Sequence, residues 1–220
     1  MSRKKPTIRH TRESDVDPLI ALQKETYPTI PPWRRERLLN QLEVFPQGQI
    51  VAELNGEIVG AASSLVVLWD EWLTDHNWSE ITASGSFNTH NPDGRTLYGA
   101  EVFVHPYLRG AGIGHALYKG RRKLCRAMNL KRIIACGRLP GYHLHAENMS
   151  AELYAQKVVW GDLRDPVLSF QLKEGFSYCG TVDDYIPEDK ESLGHASLIV
   201  WLNMRYNAKK PTKIPQGDLL

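Results

Sequence analysis

Strand-like and helix-like patterns alternate along this chain, so the sequence predicts an α/β or α+β fold. Three observations carry that expectation. Asn55-Gly56 separates two apolar runs of strand length. A strand, a glycine-rich turn, a helix and a second strand follow one another from Leu97 to Cys136. Hydrophobic residues make up 42% of the chain and charged residues 24%, an ordinary globular balance that argues against extensive disorder. A crossover as long as Leu97–Cys136 implies parallel pairing of its two strands, or a close variant. With 220 residues, one fold buries enough apolar surface to need no metal or disulfide staple.

Thr7 to His10 reads as a short first strand. Asp17-Pro18 suits a helix start, and Val16, Leu19, Ile20 and Leu22 supply its apolar face. Pro31-Pro32 is expected to open a second helix running to about Val44, with Leu38, Leu39 and Leu42 on one side and Pro46 stopping it. Gln49–Leu54 and Glu57–Trp69 form a hairpin, because Asn and Gly both tolerate the positive φ of a tight turn. A long connection rich in Trp, Asp, Asn and His ends at Pro92-Asp93-Gly94, a turn signal. Leu97–Val104 is a strand, Gly112–Met128 a helix with Ile113, Leu117, Leu124 and Met128 at helical spacing, and Lys131–Cys136 a strand. Ser150 caps a helix towards Trp160, and Asp165-Pro166 opens another that ends at Gly175. Phe176–Val182 and His195–Asn203 close the fold. No linker interrupts this order, which gives a single domain over residues 7–207 between mobile ends at 1–6 and 208–220.

Composition excludes several function classes. Lys plus Arg is 27 and Asp plus Glu is 25, a net charge of +2, too balanced for a dedicated nucleic-acid binder. No apolar run reaches the roughly 18 residues of a membrane span. The basic start of the chain leads into no apolar segment, so it is not a secretory signal, and a cytoplasmic location is expected. Cys125, Cys136 and Cys179 fit neither a disulfide framework nor a zinc ribbon, and His143-x-His145 lacks a well-spaced third ligand, so no metal is expected.

Arg109-Gly110-Ala111-Gly112-Ile113-Gly114 is the most informative stretch. Glycines let backbone approach a ligand closely, and the first amides of the following helix have no intrahelical acceptor. With the helix dipole positive at that end, the turn suits a phosphate or pyrophosphate. The plain alternative is a tight turn with glycines for packing. Charge favours the anionic ligand: from Arg109 to Arg138 there are nine Lys or Arg and no Asp or Glu, a third of the chain's positive residues. A dinucleotide turn fails on spacing, on its mid-chain position and on the missing carboxylate after the next strand.

That turn, with the strand before it, resembles the acetyl-CoA signature of the Gcn5-related N-acetyltransferase (GNAT) superfamily, Arg/Gln-x-x-Gly-x-Gly/Ala. The element order over nearly the whole chain fits too, as does Phe170-Gln171-Leu172-Lys173-Glu174-Gly175-Phe176 near its end. His90-Asn91-Pro92-Asp93-Gly94, Asn129–Ile133, Gly137–His143 and Asp165–Leu172 resemble, more narrowly, acetyltransferase domains found upstream of carbon-nitrogen hydrolase (nitrilase-like) domains. On length, the chain fits one such domain plus short tails, so a hydrolase partner is expected to be a separate chain or absent.

The resemblance implies a GNAT fold: a central mixed sheet flanked by helices, in which parallel strands Leu97–Val104 and Lys131–Cys136 splay apart. The pantetheine arm of acetyl-CoA would lie in the gap and bond the backbone near Phe103 and Val104. Its pyrophosphate would sit on the amides of Arg109, Gly110, Ala111, Gly112, Ile113 and Gly114, with Arg121 or Arg122 meeting the 3′-phosphate. The implied reaction is direct acetyl transfer to an amine of a small molecule or a protein, with no nucleic acid and no membrane as partner. The oligomeric state stays open, a homodimer being one arrangement it allows.

Amine attack needs a base, and Glu101, in the strand beside the thioester, is the candidate. An outward-facing strand residue in a salt bridge is the alternative. Strand alternation sets Glu101 on the face opposite Ala100 and Val102. The family's usual proton donor, a Tyr in the closing helix, is Gln171 here, and the family's frequent Asn seven residues earlier is Arg164. Tyr142, Tyr154 and Tyr178 are substitutes, with Tyr142 the one carried forward. The missing Tyr also motivates a second reading, a non-catalytic acyl-CoA-binding module. Two long connections, one with Trp69, Trp72 and Trp78 and one from Gly137 to Trp160, are expected to wall the acceptor site.

Overall fold

A computed structural model describes residues 5–28, 30–72, 76–215 and 220. Of the expected mobile ends, residues 1–4 and 216–219 lie outside the described residues. Seven strands form one sheet in the order β1-β2-β3-β4-β5-β7-β6: β1 (Thr7–His10), β2 (Gln49–Leu54), β3 (Glu57–Val67), β4 (Thr96–Val104), β5 (Arg132–Arg138), β6 (Ser177–Val182) and β7 (Ala196–Leu202). Neighbours are antiparallel except β4 and β5, which are parallel.

Six α-helices accompany the sheet among the described residues: α1 (Val16–Thr26), α2 (Arg35–Val44), α3 (Trp78–Ile81), α4 (Ile113–Ala127), α5 (Ala151–Trp160) and α6 (Leu168–Lys173). The Pro31-Pro32 start predicted for α2 is displaced to Arg35. Arg34 is extended, and the residue before each proline is pushed from helical φ/ψ, so the two prolines make an approach segment. The single-turn helix α3 was hidden in the long connection. Its signal is a capping box: Asn77 Oδ1 accepts from the Glu80 amide at 2.9 Å and Glu80 Oε2 accepts from the Asn77 amide at 2.9 Å. The hairpin turn at Asn55 (φ 55°) and Gly56 (φ 86°) forms as predicted.

Helices pack on both faces. Val16, Leu19, Leu22, Trp33 and Leu38 from the α1–α2 side bury Val51, Ala61 and Phe103 of the sheet. On the other face Ile113 and Leu117 of α4 bury Ile50, Ala52 and Ala62. Leu124 of α4 and Met128, the residue after it ends, share a core with Leu97, Ile133, Tyr154 and Phe176. Alternation along β4 thus sends Phe103 to the α1 face and Val102 to the α4 face.

Two irregularities place the site. β4 and β5 pair only at Thr96↔Arg132, Leu97↔Ile133 and Tyr98↔Ile134, although both strands continue further. The β3–β4 register also slips: Ser63 faces Glu101 and Ser64 faces Gly99, which leaves Ala100 as an extra residue. That is a β-bulge, located where the parallel ladder is abandoned.

Candidate active site

The bulge decides which way the chemistry faces. Counting from Tyr98, Ala100 points to the α1–α2 face; counting back from Phe103, so does Glu101. Glu101 therefore shares its face with Ala100, not the opposite one that regular alternation predicts. The reason is the extra residue, which resets the pleat by one.

Side chains replace the lost strand pairing around the bulge. The Trp78 indole N–H donates to the Ala100 carbonyl at 3.1 Å. Arg121 Nη2 donates to the Glu101 carbonyl at 2.6 Å and to the Ser63 carbonyl at 3.1 Å, while its Nε donates to Ser64 Oγ at 2.9 Å. The Tyr27 hydroxyl lies 3.2 Å from Glu101 Oε1 and 3.4 Å from the Val102 carbonyl. Three successive carbonyls of β4 are thus held by three side chains from both faces. A Cβ on Gly99 would lie 2.9 Å from Arg121 Nη1, so glycine makes room for the guanidinium. Arg121 is 2% exposed and committed to this bulge, so it is withdrawn from the 3′-phosphate role. Arg122 is also engaged, donating to the Glu174 carbonyl and carboxylate at 3.0 Å each.

Glu101 sits half-buried in a corner beside the Tyr27 ring. Burial raises its pKa above the ordinary carboxylate value, with the hydrogen bond from Tyr27 and the nearby Arg138 opposing part of that rise. Burial raises the Tyr27 phenol well above its usual value, so the phenol stays a donor. Arg138, on β5, lies with its guanidinium 5.4 Å from the Tyr27 ring centre. It is anchored by Asp189, by Nε to Oδ2 at 2.6 Å, and by Glu191 at 2.9 Å. Burial works against the Asp189 carboxylate, but its bonds from Arg138 and Ser192 outweigh that and hold its pKa below the usual range. An open cleft at the α1–α2 connection, lined by Lys24, Tyr27, Pro28, Ile30, Pro31 and Pro32, shares Tyr27 with this corner.

Deeper along the α1–α2 face, Cys136, His76, Tyr98 and Tyr185 cluster. Tyr98 and Tyr185 hydroxyls are 2.5 Å apart and His76 Nε2 lies 3.8 Å from Cys136 Sγ. Burial pushes the Cys136 thiol up to about 12, so it is held as a thiol at neutral pH. Sequence reading missed this group, since its members come from four separate segments. Trp69 and Trp72 pack around His76, and Trp78 stacks on Trp33 with ring centres 5.9 Å apart. All three tryptophans thus serve the walls of one region.

The glycine turn lies at the other end of β4. Gly110 (φ 79°) and Gly112 (φ 82°) are left-handed, and neither would crowd a Cβ, so backbone conformation alone requires glycine there. Gly112 is the N-cap of α4 and offers no capping side chain, so the amides of Ile113, Gly114 and His115 carry no intrahelical bond. Arg109, Ala111 and the two left-handed glycines are exposed, and no acidic residue occupies the first turn of α4. Those amides and the dipole form an unneutralised positive end. Phe103 and Val104 pair with β3 on one edge through Ala61 and Gly60, and their other edge borders the gap.

Tyr142, Tyr154 and Tyr178 lie elsewhere. Tyr142 donates to the Met149 carbonyl at 3.2 Å, Tyr154 to Asp165 at 3.0 Å and Tyr178 to Glu152 at 2.7 Å. Among the described residues no bond or ring contact joins Tyr142 to the Glu101 cluster. His143 is bonded to the Pro140 and Glu191 carbonyls and His145 packs on Tyr154. No group of metal-ligating side chains forms among the described residues, and no described helix is long and apolar enough to cross a membrane.

The acetyltransferase (GNAT) family model matches residues 16–151, a span that holds the parted β4–β5 pair, the bulge and the start of α4. The chain belongs to this family, whose members transfer acyl groups. It is 38% identical over 204 residues to an uncharacterized N-acetyltransferase, YkwB, of Bacillus subtilis, covering 91% of this chain and 90% of that protein. It is 47% identical over 203 residues to a probable hydrolase of the same organism, YhcX, covering 92% of this chain. The chain spans only 40% of YhcX. The GNAT-like decarboxylase GphF, solved with isobutyryl-CoA, superposes with a TM-score of 0.76 at 26% identity, covering 89% of this chain and 98% of that one.

Proposed function

We propose that the chain transfers an acetyl group from acetyl-CoA to an amine by direct attack. The observation that carries this reading is the bulge: it turns Glu101 towards the α1–α2 cleft beside the one parallel pair that parts. In this reading the pyrophosphate rests on the turn Arg109–Gly114, and the pantetheine arm runs along the free edge of Phe103 and Val104. The thioester carbonyl meets the bulge. Glu101 takes the amine proton as the C–N bond forms, and its raised pKa matches it better to an ammonium than an ordinary carboxylate. Tyr27 and Arg138 hold that carboxylate in place. The acceptor is a small-molecule or protein amine reaching the cleft lined by Tyr27 and Pro28.

Thermal melting with and without acetyl-CoA tests the cofactor. A ligand at 100 times its Kd adds about 2.7 kcal/mol, and an unmoved melting curve at millimolar acetyl-CoA sinks the reading. Free-thiol release across an amine panel then separates an enzyme from a binding module. Glu101→Gln is expected to lower kcat by about 10²- to 10⁴-fold.

A further inference from the structure

Departure of the thiolate needs a hydrogen-bond donor, and position 171 cannot supply an acidic one. The structure shows what Gln171 does instead. It is 5% exposed on α6, and its amide lies against Gly137 of β5, where a Cβ would clash with Oε1 and sit 2.6 Å from Nε2. Gly137 is beyond the last β4–β5 pair, so this amide lies beside the gap. Gln171 Nε2 donates to the Tyr118 hydroxyl of α4 at 3.3 Å. As acceptor in that bond, the hydroxyl keeps its own proton uncommitted among the described residues. Gln171 Oε1 is buried with no partner, an acceptor left waiting beside the same opening.

The surroundings suit a phenol that donates. Tyr118 is wedged edge-on between Phe170 and Phe176, with ring centres at 5.2 and 5.4 Å, so its ring is fixed. The Arg121 guanidinium lies 5.5 Å from its ring centre. Burial raises the phenol's pKa, with Arg121 opposing, so it carries its proton through the neutral range.

We infer that Tyr118, presented by Gln171, donates the hydrogen bond and proton that the leaving CoA sulfur receives. As the amine nitrogen bonds to the acyl carbon, the C–S electron pair passes to sulfur. The Tyr118 proton moves to that sulfur. The phenolate, facing Arg121, regains a proton from water as CoA departs, and Glu101 returns the amine's proton to water. The donor thus comes from the long helix, and Gln171 Oε1 is left to accept an N–H from the pantetheine arm. This rests on the acyl-CoA reading above.

The test needs no acceptor amine. CoA binding is measured by calorimetry, and the thiol of bound CoA is titrated by the ultraviolet difference absorbance of its thiolate. In Tyr118→Phe the bound thiol is expected to titrate about one pH unit higher than in the wild type, a tenfold smaller thiolate fraction at fixed pH. Equal titrations overturn the assignment while leaving CoA binding intact. Absence of CoA binding to the wild type overturns it together with the acyl-CoA reading. Should Tyr118→Phe fail to fold, the wild type alone decides. Its affinity for CoA relative to desulfo-CoA is expected to rise about sixfold between about pH 7 and pH 9. A flat ratio counts against Tyr118. Recovery of the lower thiol titration in Tyr118→Phe combined with Gln171→Tyr adds support, since it restores a phenol beside the gap from α6.

Discussion

The sheet is two antiparallel units of unequal character. On one side β1 to β4 pair over nearly their full lengths, and on the other β5, β7 and β6 do the same. Between them lie three parallel residue pairs. Within each unit the backbone satisfies itself; at the junction, side chains take over. Arg121, Trp78 and Tyr27 hold the carbonyls of β4 there, and the Glu101 carboxylate is kept beside them. The contrast teaches that the groups of the proposed site sit where the ladder stops, and that side chains hold the stop open.

The junction can be broken most severely at Arg121. Arg121→Met leaves the Ser63 and Glu101 carbonyls and the Ser64 hydroxyl without their donor. At about 1–3 kcal/mol for each buried group left unsatisfied, a loss of about 3 kcal/mol or more is expected in urea unfolding. An equivalent loss for an exposed lysine of the same helix, such as Lys119→Met, would mean that the junction is not special. Gly99→Ala is the next step down. Its Cβ meets the guanidinium at 2.9 Å, so a loss of about 1–3 kcal/mol is expected, alongside weaker acetyl-CoA binding.

Glu101→Gln sharpens the comparison with the opposite sign. The folded-state pKa of Glu101 is raised, so between the unfolded and folded values the native state binds more protons than the unfolded one. Stability therefore falls as pH rises through that window. Removing the charge is expected to stabilise the protein above the window and to change little below it. A stability difference that does not vary with pH would contradict burial as the cause. Gly112→Ala acts away from the junction, where φ of 82° costs an L-residue about 1–2 kcal/mol. Melting temperature would show it, and acetyl-CoA affinity is expected to drop with it.

Much of this was legible in the residues. The hairpin at Asn55-Gly56, the crossover from β4 to β5 and the turn at Gly110–Gly112 declare themselves because each depends on local backbone requirements. The orientation of Glu101 was not legible, because a bulge has no fixed composition and one inserted residue reverses the pleat. Nor was the commitment of Arg121. A helix with Lys119, Arg121, Arg122 and Lys123 reads as a basic surface, and only the three-dimensional fold shows that one of these turns inward. Tyr118 escaped notice for a similar reason: its partner Gln171 is 53 residues away. The signal available in the sequence was the oddity at 171, which asked where a phenol had gone.

The parted strands have a mechanical consequence. Beyond Tyr98 and Ile134, force applied across the sheet is carried by side chains and by the layers above and below, not by backbone bonds. An extended ligand bearing amide groups would bridge that seam and stiffen the sheet locally there. Amide hydrogen exchange is expected to record this as slower exchange from Glu101 to Val104 in the presence of acetyl-CoA, with the outer strands β1 and β6 unchanged.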